Sequence, residues 1–300
     1  MRRVERMKYL KHLKVRIGWI FAKEFVENSL YLWEEKFFTM KIGIIGAGNM
    51  GGAIARGLAA DPTFNTADIT VCAPNRHQEL DALSAEFPEL TVSTDNKEAV
   101  LHTDMIILAV KPWMVYEVMD PLSELIRWER QILVSVAAGV GLEKLEDLSL
   151  CTPPAVFRVM PNTAISIGKS MTFICSRGAN EAQISQVNDL FRRLGSTMLI
   201  DESQMDACMA LASCGIAYAM RYVRAASEGG VELGIKADEA KEIVLRTLQG
   251  AAELLLHTGN HPEVEIDKVT TPGGITIKGL NAMERHGFTT SVIEGLKASK

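Results

Sequence analysis

Three glycines, Gly46, Gly48 and Gly51, have the G-x-G-x-x-G spacing and follow a short apolar run. In such a turn the first glycine permits a tight bend, the second lets the backbone approach a pyrophosphate, and the third lets the next helix pack closely. That helix directs its N-terminal N–H groups at the anion. A β-type run over 41–45 and a helical run over 50–60 supply the context that this motif requires. The spacing predicts a dinucleotide site; a ligand-free turn between strand and helix is the alternative.

The end of the second predicted strand, 68–72, indicates which dinucleotide would bind. NAD-selective sites carry an acidic residue about 20 residues after the glycines, whereas residues 71–77 read Val-Cys-Ala-Pro-Asn-Arg-His. Asn75 and Arg76 suit a 2′-phosphate, because a guanidinium pairs with it and no carboxylate repels it. The sequence favours NADPH, with NADH as a second possibility; alternatively, Arg76 only begins a solvated helix.

These residues lie in an alternation of short apolar strands and helices that begins at Met40. Continuous apolar runs such as 106–110 fit strands covered on both faces, as in a parallel sheet. The predicted fold class is α/β, with a doubly wound Rossmann domain over 40–201. The predicted strands are 41–45, 68–72, 90–92, 105–110, 131–136, 155–159, 171–175 and 197–200, and the predicted helices are 50–60, 76–86, 96–102, 113–127 and 180–193.

From 202 to 300 the pattern changes to long helices rich in Ala, Leu and Met, predicted over 203–232 and 237–257. A helix that is apolar on nearly every face must be covered by more than one partner. The first helix has this character: Met209, Leu211, Ala212, Ile216, Ala217, Ala219, Met220 and Val223. We therefore expect an all-α dimerisation domain over 202–300 and an intertwined homodimer. A helix buried within a single chain is the alternative.

Residues 1–39 differ from the rest of the chain. They hold nine Lys/Arg against five Asp/Glu, which leaves 23 Lys/Arg against 32 Asp/Glu in residues 40–300. An acidic body argues against nucleic acid as a partner. The apolar run 17–22 is too short for a membrane span and lacks a signal-peptide cleavage pattern. The simplest interpretation of 1–39 is an upstream extension of the reading frame that is not native; an amphipathic surface helix is the alternative.

Cysteines and histidines are the residue types that could support covalent or metal chemistry in this chain. The five cysteines are scattered, which indicates free thiols in a reducing cytoplasm rather than a disulfide framework. His257 and His261 have a spacing that could suit a metal ion, but Gly259 and Pro262 interrupt the helix there. We expect loop histidines and no metal site.

Three segments together resemble one family. They read Arg-Val-Met-Pro-Asn-Thr over 158–163, Glu-Gly-Gly-Val-Glu-Leu-Gly over 228–234 and Val-Thr-Thr-Pro-Gly-Gly-Ile-Thr-Ile over 269–277. They resemble pyrroline-5-carboxylate reductase, the last enzyme of proline biosynthesis, and the resemblance runs from Met40 to the C-terminus. The Thr-Pro-Gly-Gly-x-Thr-Ile loop is its most specific part, because a bare dinucleotide domain has no use for it.

The resemblance implies NAD(P)H-dependent reduction of a cyclic imino acid, 1-pyrroline-5-carboxylate, to L-proline. It also implies paired subunits in which the helical domain of one completes the active site of the other; larger rings of dimers occur in the family. The family's substrate loop falls on Thr271, Gly273, Gly274, Ile275 and Thr276. Its cofactor contacts fall on Ile45, Gly46, Ala47, Gly48, Asn49, Met50, Asn75, Arg76, Asn96, Ala109, Val110, Lys111, Pro112, Val136, Ala137 and Ala138.

The substrate loop also has a chemical interpretation of its own. A Gly-Gly turn at a helix start offers successive N–H groups to a carboxylate. The Thr276 hydroxyl could bond the ring nitrogen or a carboxylate oxygen, which makes Thr276 the catalytic candidate. Without the resemblance, a turn whose threonines cap a helix at 275–286 would explain the same residues. Hydride transfer needs chiefly alignment of the reactants, so we expect Lys111 to close over the dinucleotide rather than to donate a proton.

One segment departs from the family pattern. Residues 213–217 read Ser-Cys-Gly-Ile-Ala where the family has Gly-Ser-Gly-Pro-Ala, so the local helix start is open to question. Cys214 is interpreted as a small buried residue rather than a nucleophile. Three rival functions stay open. One is another NADP-dependent imine oxidoreductase, and the second is a 3-hydroxyacid dehydrogenase, which would need a lysine that 203–232 lacks. The third is a non-catalytic NADP-sensing dimer, which would not need the intact loop 271–276.

Overall fold

The computed structural model describes residues 40–149 and 154–299. The N-terminal extension expected over 1–39 lies outside the described residues. The described strands are β1 Ile42–Ile45, β2 Ile69–Cys72, β3 Thr91–Ser93, β4 Met105–Leu108, β5 Ile132–Ser135, β6 Val156–Met160, β7 Ser170–Arg177 and β8 Gly195–Leu199. Each of them overlaps one predicted strand, so the eight strand predictions are confirmed.

All eight strands belong to one sheet in the order β3-β2-β1-β4-β5-β6-β7-β8. The first six follow the Rossmann order, and neighbouring pairs among them are parallel. The predicted parallel sheet is confirmed except at one pair, since β7 runs antiparallel to β6. The carboxyl ends of β1 to β5 therefore share one edge of the sheet.

Helices follow most of the strands and make up the whole C-terminal part. None of the helices in the described ranges is long and apolar enough to cross a membrane. The helices are α1 Asn49–Ala59, α2 His77–Glu86, α3 Glu98–Leu101, α4 Val115–Met119, α5 Leu142–Glu146, α6 Glu181–Arg192, α7 Met205–Met209, α8 Gly215–Glu232, α9 Ala237–Thr258, α10 Pro262–Lys268, α11 Ile275–Arg285 and α12 Phe288–Lys297.

Each face of the sheet has its own hydrophobic core. Along β4, Ile107 belongs to the first core, whereas Ile106 and Leu108 belong to the second core, on the opposite face. Successive side chains of a strand point to opposite faces, so both faces must be covered to bury all three. The continuous apolar runs in the sequence have this physical cause.

Two predicted helices are wrong as continuous elements. The helix expected over 113–127 is divided into α4 and two flanking 3₁₀ turns, Pro112–Met114 and Asp120–Leu125. Pro121 lies in the second turn; proline lacks an N–H donor and disfavours a helical residue before it. This division follows from proline geometry.

The helix expected over 203–232 is also interrupted. A π-turn at Ala210–Cys214 separates α7 from α8. The Ser213 hydroxyl donates to the Pro161 carbonyl at 2.9 Å, which ties the π-turn to the chain segment after β6. The interruption falls on the segment that departs from the family pattern.

A buried arginine joins the sheet to the first helices of the C-terminal part. Arg158 of β6 is 6% exposed, and its guanidinium lies 3.5 Å from Glu202 and 3.4 Å from Asp206. Glu202 also accepts from the Leu142 N–H at 2.7 Å. Met205 of α7 is fully buried in the second core. These contacts fix the beginning of the helical part against the sheet.

Candidate dinucleotide site and substrate loop

The glycine turn after β1 has the geometry that the motif predicts. Gly46 has a φ of 109°, a conformation that glycine adopts readily. A Cβ on Gly51 would lie 1.9 Å from the Gly46 carbonyl oxygen, whereas a Cβ on Gly48 would meet no atom within 4 Å. The chain itself therefore requires Gly46 and Gly51, and Gly48 leaves its backbone open to a ligand.

The helix after this turn begins without a side-chain cap. Gly48 is the N-cap of α1 in an extended conformation, and no side chain accepts from the first turn. Uncapped N–H groups at a helix N-terminus favour an anion there. Two backbone bonds hold the turn in place: Gly46 N–H to the Cys72 carbonyl at 2.7 Å and Ala109 N–H to the Ile45 carbonyl at 2.8 Å.

A cleft of about 900 Å³ opens at the carboxyl ends of the strands. This volume is typical of a pocket for a cofactor or other small molecule. With one exception, all the residues that the resemblance assigns to the cofactor line it: Ile45, Gly46, Ala47, Gly48, Asn49, Met50, Asn75, Arg76, Asn96, Ala109, Val110, Lys111, Pro112, Val136 and Ala138. The exception is Ala137, which is buried in the second core.

Sequence reasoning missed ten residues that line the same cleft. They are Ala73, Pro74, Thr94, Asp95, Lys97, Met114, Glu117, Val118, Pro121 and Leu122. Ligands of such sheets bind beyond the carboxyl ends of the strands, so the residues just after β3 could have been predicted to line the cleft: Thr94, Asp95 and Lys97. The five from 114 to 122 gave no such signal, because that segment was predicted as one continuous helix.

Arg76 forms an ion pair at the rim of the cleft. It is the N-cap of α2, and its Nη1 lies 2.7 Å from Oε1 of Glu79. The side chains are 57% and 39% exposed. The hydrogen bond from Arg76 lowers the pKa of Glu79, so the carboxylate is ionised at neutral pH and balances part of the guanidinium charge.

Asn96 provides a test of whether the cleft suits a dinucleotide. Its Oδ1 is buried and has no hydrogen-bond partner among the described residues. A buried acceptor without a donor costs about 1–3 kcal/mol, and a ribose hydroxyl is a suitable donor. Together with the open backbone at Gly48 and the cation of Arg76, this acceptor fits a dinucleotide.

The substrate loop forms the predicted Gly-Gly turn at the start of α11. Gly273 has a φ of 74° and Gly274 is the N-cap, with no side-chain cap on the helix. The Gly274 N–H donates to the Thr271 carbonyl at 2.9 Å. Since that N–H is already engaged, the N–H groups still open to an anion are those of the first turn of α11, which contains Ile275 and Thr276.

The structure does not bring this loop to the cleft of the same chain. None of Thr271, Gly273, Gly274, Ile275 and Thr276 lines the cleft in the described part of the chain. Ile275 is 87% exposed. The two halves of the predicted active site are therefore separate within one chain.

The described cysteines are free, as predicted, and two of them, Cys72 and Cys175, are buried. Burial raises the pKa of the Cys72 thiol to about 12 and that of Cys175 to about 11. Both stay protonated near neutral pH, and the thiolate is the reactive form. Cys208 and Cys214 are half-buried.

The two histidines differ from each other in their surroundings. His257 lies in the last turn of α9, so its assignment to a loop is wrong; the helix continues to Thr258 before Gly259 ends it with a φ of 64°. His261 is the N-cap of α10, and its Nδ1 accepts from the Glu263 N–H at 3.3 Å. Within 40–149 and 154–299, no group of three or more His, Cys, Asp or Glu side chains could hold a metal ion.

Comparison with known proteins decides the family. The model described as pyrroline-5-carboxylate reductase dimerisation matches residues 202–300, and the model for coenzyme F420-dependent NADP oxidoreductases matches residues 41–139. Pyrroline-5-carboxylate reductase of Synechocystis is 33% identical over 87% of this chain and 96% of its own length. The chain belongs to the pyrroline-5-carboxylate reductase family. The predicted resemblance is thereby confirmed.

Other members of the pyrroline-5-carboxylate reductase family agree with this result. Pyrroline-5-carboxylate reductase 1 of Dictyostelium discoideum is 36% identical over 88% of this chain, and the chain spans 49% of that protein's length. The crystal structure of Plasmodium falciparum pyrroline carboxylate reductase with NADP bound is 27% identical and has a TM-score of 0.78. The matched region covers 87% of this chain and 95% of the Plasmodium falciparum chain. The predicted fold, a Rossmann domain followed by an all-α domain, is confirmed.

Proposed function

We propose that this chain reduces 1-pyrroline-5-carboxylate to L-proline, the last step of proline biosynthesis, with NADPH as the preferred reductant and NADH as a second one. The observation that carries the proposal is the cleft at the strand ends. It combines an open glycine backbone, an arginine at the rim and an unpartnered Asn96 oxygen in a member of the reductase family. Each of these groups suits a different part of a phosphorylated dinucleotide.

Different residues of the chain bind different parts of the dinucleotide. The N–H groups at Gly48, Asn49 and Met50 bind the pyrophosphate. Asn75 and Arg76 bind the 2′-phosphate, and Asn96 accepts from a ribose hydroxyl. Residues after β4 and β5 that line the cleft, 109–112 with Val136 and Ala138, would hold the nicotinamide half of the cofactor, and Lys111 would close over it. When bound, the nicotinamide supplies the hydride that reduces the C=N carbon.

The loop 271–276 holds the substrate. The uncapped first turn of α11 binds the carboxylate of the imino acid, and the Thr276 hydroxyl bonds the ring nitrogen or a carboxylate oxygen. A protonated imine is already electrophilic. The protein therefore needs to align the two reactants and exclude water rather than to supply an acid.

A homodimer brings the loop to the cleft. Leu211, Met220 and Leu256 are 63%, 60% and 85% exposed in the single chain, and apolar exposure on this scale marks an interaction surface. The match of residues 202–300 to a dimerisation model supports the same interpretation. We assign dinucleotide binding to residues 40–201 and dimerisation with substrate binding to residues 202–300. The helical domain of each subunit then delivers its loop to the partner subunit's cleft.

A ring of dimers is the proposed higher assembly, and the cytoplasm is the proposed location. A ring of dimers would extend the same pairing. The acidic body opposes binding to nucleic acid, and we propose a cytoplasmic enzyme that does not act at a membrane, because free cysteines and reductive biosynthesis suit that compartment.

The assay that tests the function follows NADPH absorbance after addition of pyrroline-5-carboxylate. We expect rapid oxidation of NADPH, with proline as the product and a lower KM for NADPH than for NADH. Because the site is built to align an imine with the cofactor, a 3-hydroxyacid with NADP should give no signal. Turnover of the hydroxyacid, or no consumption with the imine, would contradict the proposal.

A second test concerns the homodimer. We expect the sedimentation mass of the wild type to be an even multiple of 33.0 kDa. Met220→Asp should lower that mass by half or more and abolish most activity, since a charge in the interface loses its solvation. The matched control is Met198→Asp, on β8, where the methionine is 51% exposed; it should keep both mass and activity. A fully active monomer would contradict the shared site.

A further inference from the structure

We propose that Glu79 sets how strongly this protein discriminates NADPH from NADH, by pairing with the Arg76 guanidinium until a 2′-phosphate replaces it. This inference rests on the proposed role of Arg76 and goes one residue beyond it. Glu79 does not line the cleft, whereas Arg76 does. Glu79 therefore acts on the cofactor through Arg76 as a specificity-determining residue.

The geometry of the pair makes Glu79 a competitor for the guanidinium. The two side chains are three residues apart at the start of α2, and Nη1 and Oε1 are 2.7 Å apart. In the described part of the chain, Glu79 is the one carboxylate that forms an ion pair with Arg76. A phosphate that takes a bidentate contact with the guanidinium needs the same donors. It must displace the Glu79 carboxylate or share the guanidinium with it.

The exposure of the pair makes this exchange feasible. Arg76 is 57% exposed and Glu79 is 39% exposed, and ion pairs between solvent-exposed groups are weak. The Arg76 side chain is thus held near the cleft without being locked there. A buried pair would have been too costly to break.

The charge of Glu79 affects the two cofactors differently. A phosphate monoester carries about −1.5 to −2 charges at neutral pH, so an ionised carboxylate on the same guanidinium opposes NADPH. NADH has a ribose hydroxyl at that position and leaves the ion pair intact.

The other ionisable groups near this part of the cleft do not compete for the Arg76 guanidinium. His77, the next residue in the chain, cannot form an anion that would pair with it. Asp95 and Lys97 line the cleft, and the Asp95 carboxylate accepts from the Lys97 N–H at 3.0 Å. Asp95 is therefore engaged with its own loop rather than with Arg76. Glu79 is the acidic group whose removal would free the guanidinium.

The test compares the dissociation constants of NADPH and NADH for the wild type and Glu79→Gln, measured by calorimetry. We expect Glu79→Gln to bind NADPH about five-fold more tightly, the upper range for an exposed ion pair, and NADH with unchanged affinity. The same contrast should hold between 2′,5′-ADP and 5′-ADP. The gain should shrink in roughly 0.5 M salt, where the Debye length is only a few ångströms.

A matched control lies on the same helix. Glu86 ends α2 and pairs with Arg56 at 2.8 Å, with 48% and 36% of the two side chains exposed. Neither residue lines the cleft. Glu86→Gln therefore removes a similar carboxylate from a similar pair, and we expect it to leave both dissociation constants unchanged.

Arg76→Gln separates failure of the inference from failure of the proposed function. If Arg76→Gln weakens NADPH selectively but Glu79→Gln leaves NADPH unchanged or weaker, Glu79 is not a competitor and the inference is overturned, while the role of Arg76 stands. If Arg76→Gln does not affect NADPH, Arg76 does not bind the 2′-phosphate, and both the inference and that part of the proposed function fall.

Discussion

Replacing Gly48 by alanine is expected to leave the protein folded and to weaken NADPH binding at least about ten-fold, or about 1.4 kcal/mol. A Cβ at this position meets no atom of the chain within 4 Å, so the folded state can accept the methyl group. Gly48 is an N-cap, where alanine in place of glycine costs about 1 kcal/mol or less. The methyl group would lie where the pyrophosphate must approach the backbone. Fluorescence titration with NADPH and thermal unfolding measure the two effects separately.

Gly51→Ala is the matched control for this prediction. Its Cβ would lie 1.9 Å from the Gly46 carbonyl oxygen and 3.0 Å from the Ala109 Cβ, which leaves little room to adjust. We therefore expect loss of cofactor affinity together with a lower melting temperature, since overpacking typically costs about 1–3 kcal/mol. Wild-type NADPH affinity in Gly48→Ala would show that the pyrophosphate does not approach through this turn.

Strands were easier to predict than helices in this chain. A strand covered on both faces favours a continuous apolar run, and 106–110 and 132–134 are such runs. The division of 113–127 could have been predicted from Pro121. The π-turn before α8 could not, because it accompanies a hydrogen bond from Ser213 to Pro161, a residue distant in sequence.

The cofactor side of the site was largely predictable because it depends on local rules. The glycine spacing and the positions just after the strand ends identified most of the residues that line the cleft, because these residues lie close in sequence to the strands that position them. Glu79 escaped this reasoning because it lies on a helix outside the cleft, where its effect depends on the Arg76 rotamer. Ala137 was included with its neighbours, but its side chain packs into the second core.

The substrate loop could be recognised in the sequence, but its position relative to the cleft could not be predicted. Its Gly-Gly turn forms as expected, yet no residue of 271–276 lines the cleft in the described part of the chain. The sequence of one subunit encodes both halves of the proposed site. In the proposed homodimer their relative position depends on how two subunits associate, and this is a property of an interface rather than of a local pattern.

Removing the hydroxyl of Thr276 should separate turnover from cofactor binding. We expect Thr276→Ala to lower kcat for the imine about 10- to 100-fold, the range for one hydrogen bond to a charged group. The dissociation constant of NADPH should stay within about two-fold, because the proposed contact of Thr276 is with the imino acid and not with the dinucleotide. Steady-state kinetics with pyrroline-5-carboxylate and a separate NADPH titration give the two quantities.

Two further variants give this prediction its specificity. Thr276→Ser keeps the hydroxyl and should restore most of the turnover. Thr270→Ala removes a hydroxyl that already donates to the Asp267 carbonyl at 3.1 Å, so it should leave kcat near the wild-type value. Equal turnover in Thr276→Ala and the wild type would contradict the catalytic assignment of Thr276 and leave the backbone N–H groups at the start of α11 as the substrate contacts of this turn.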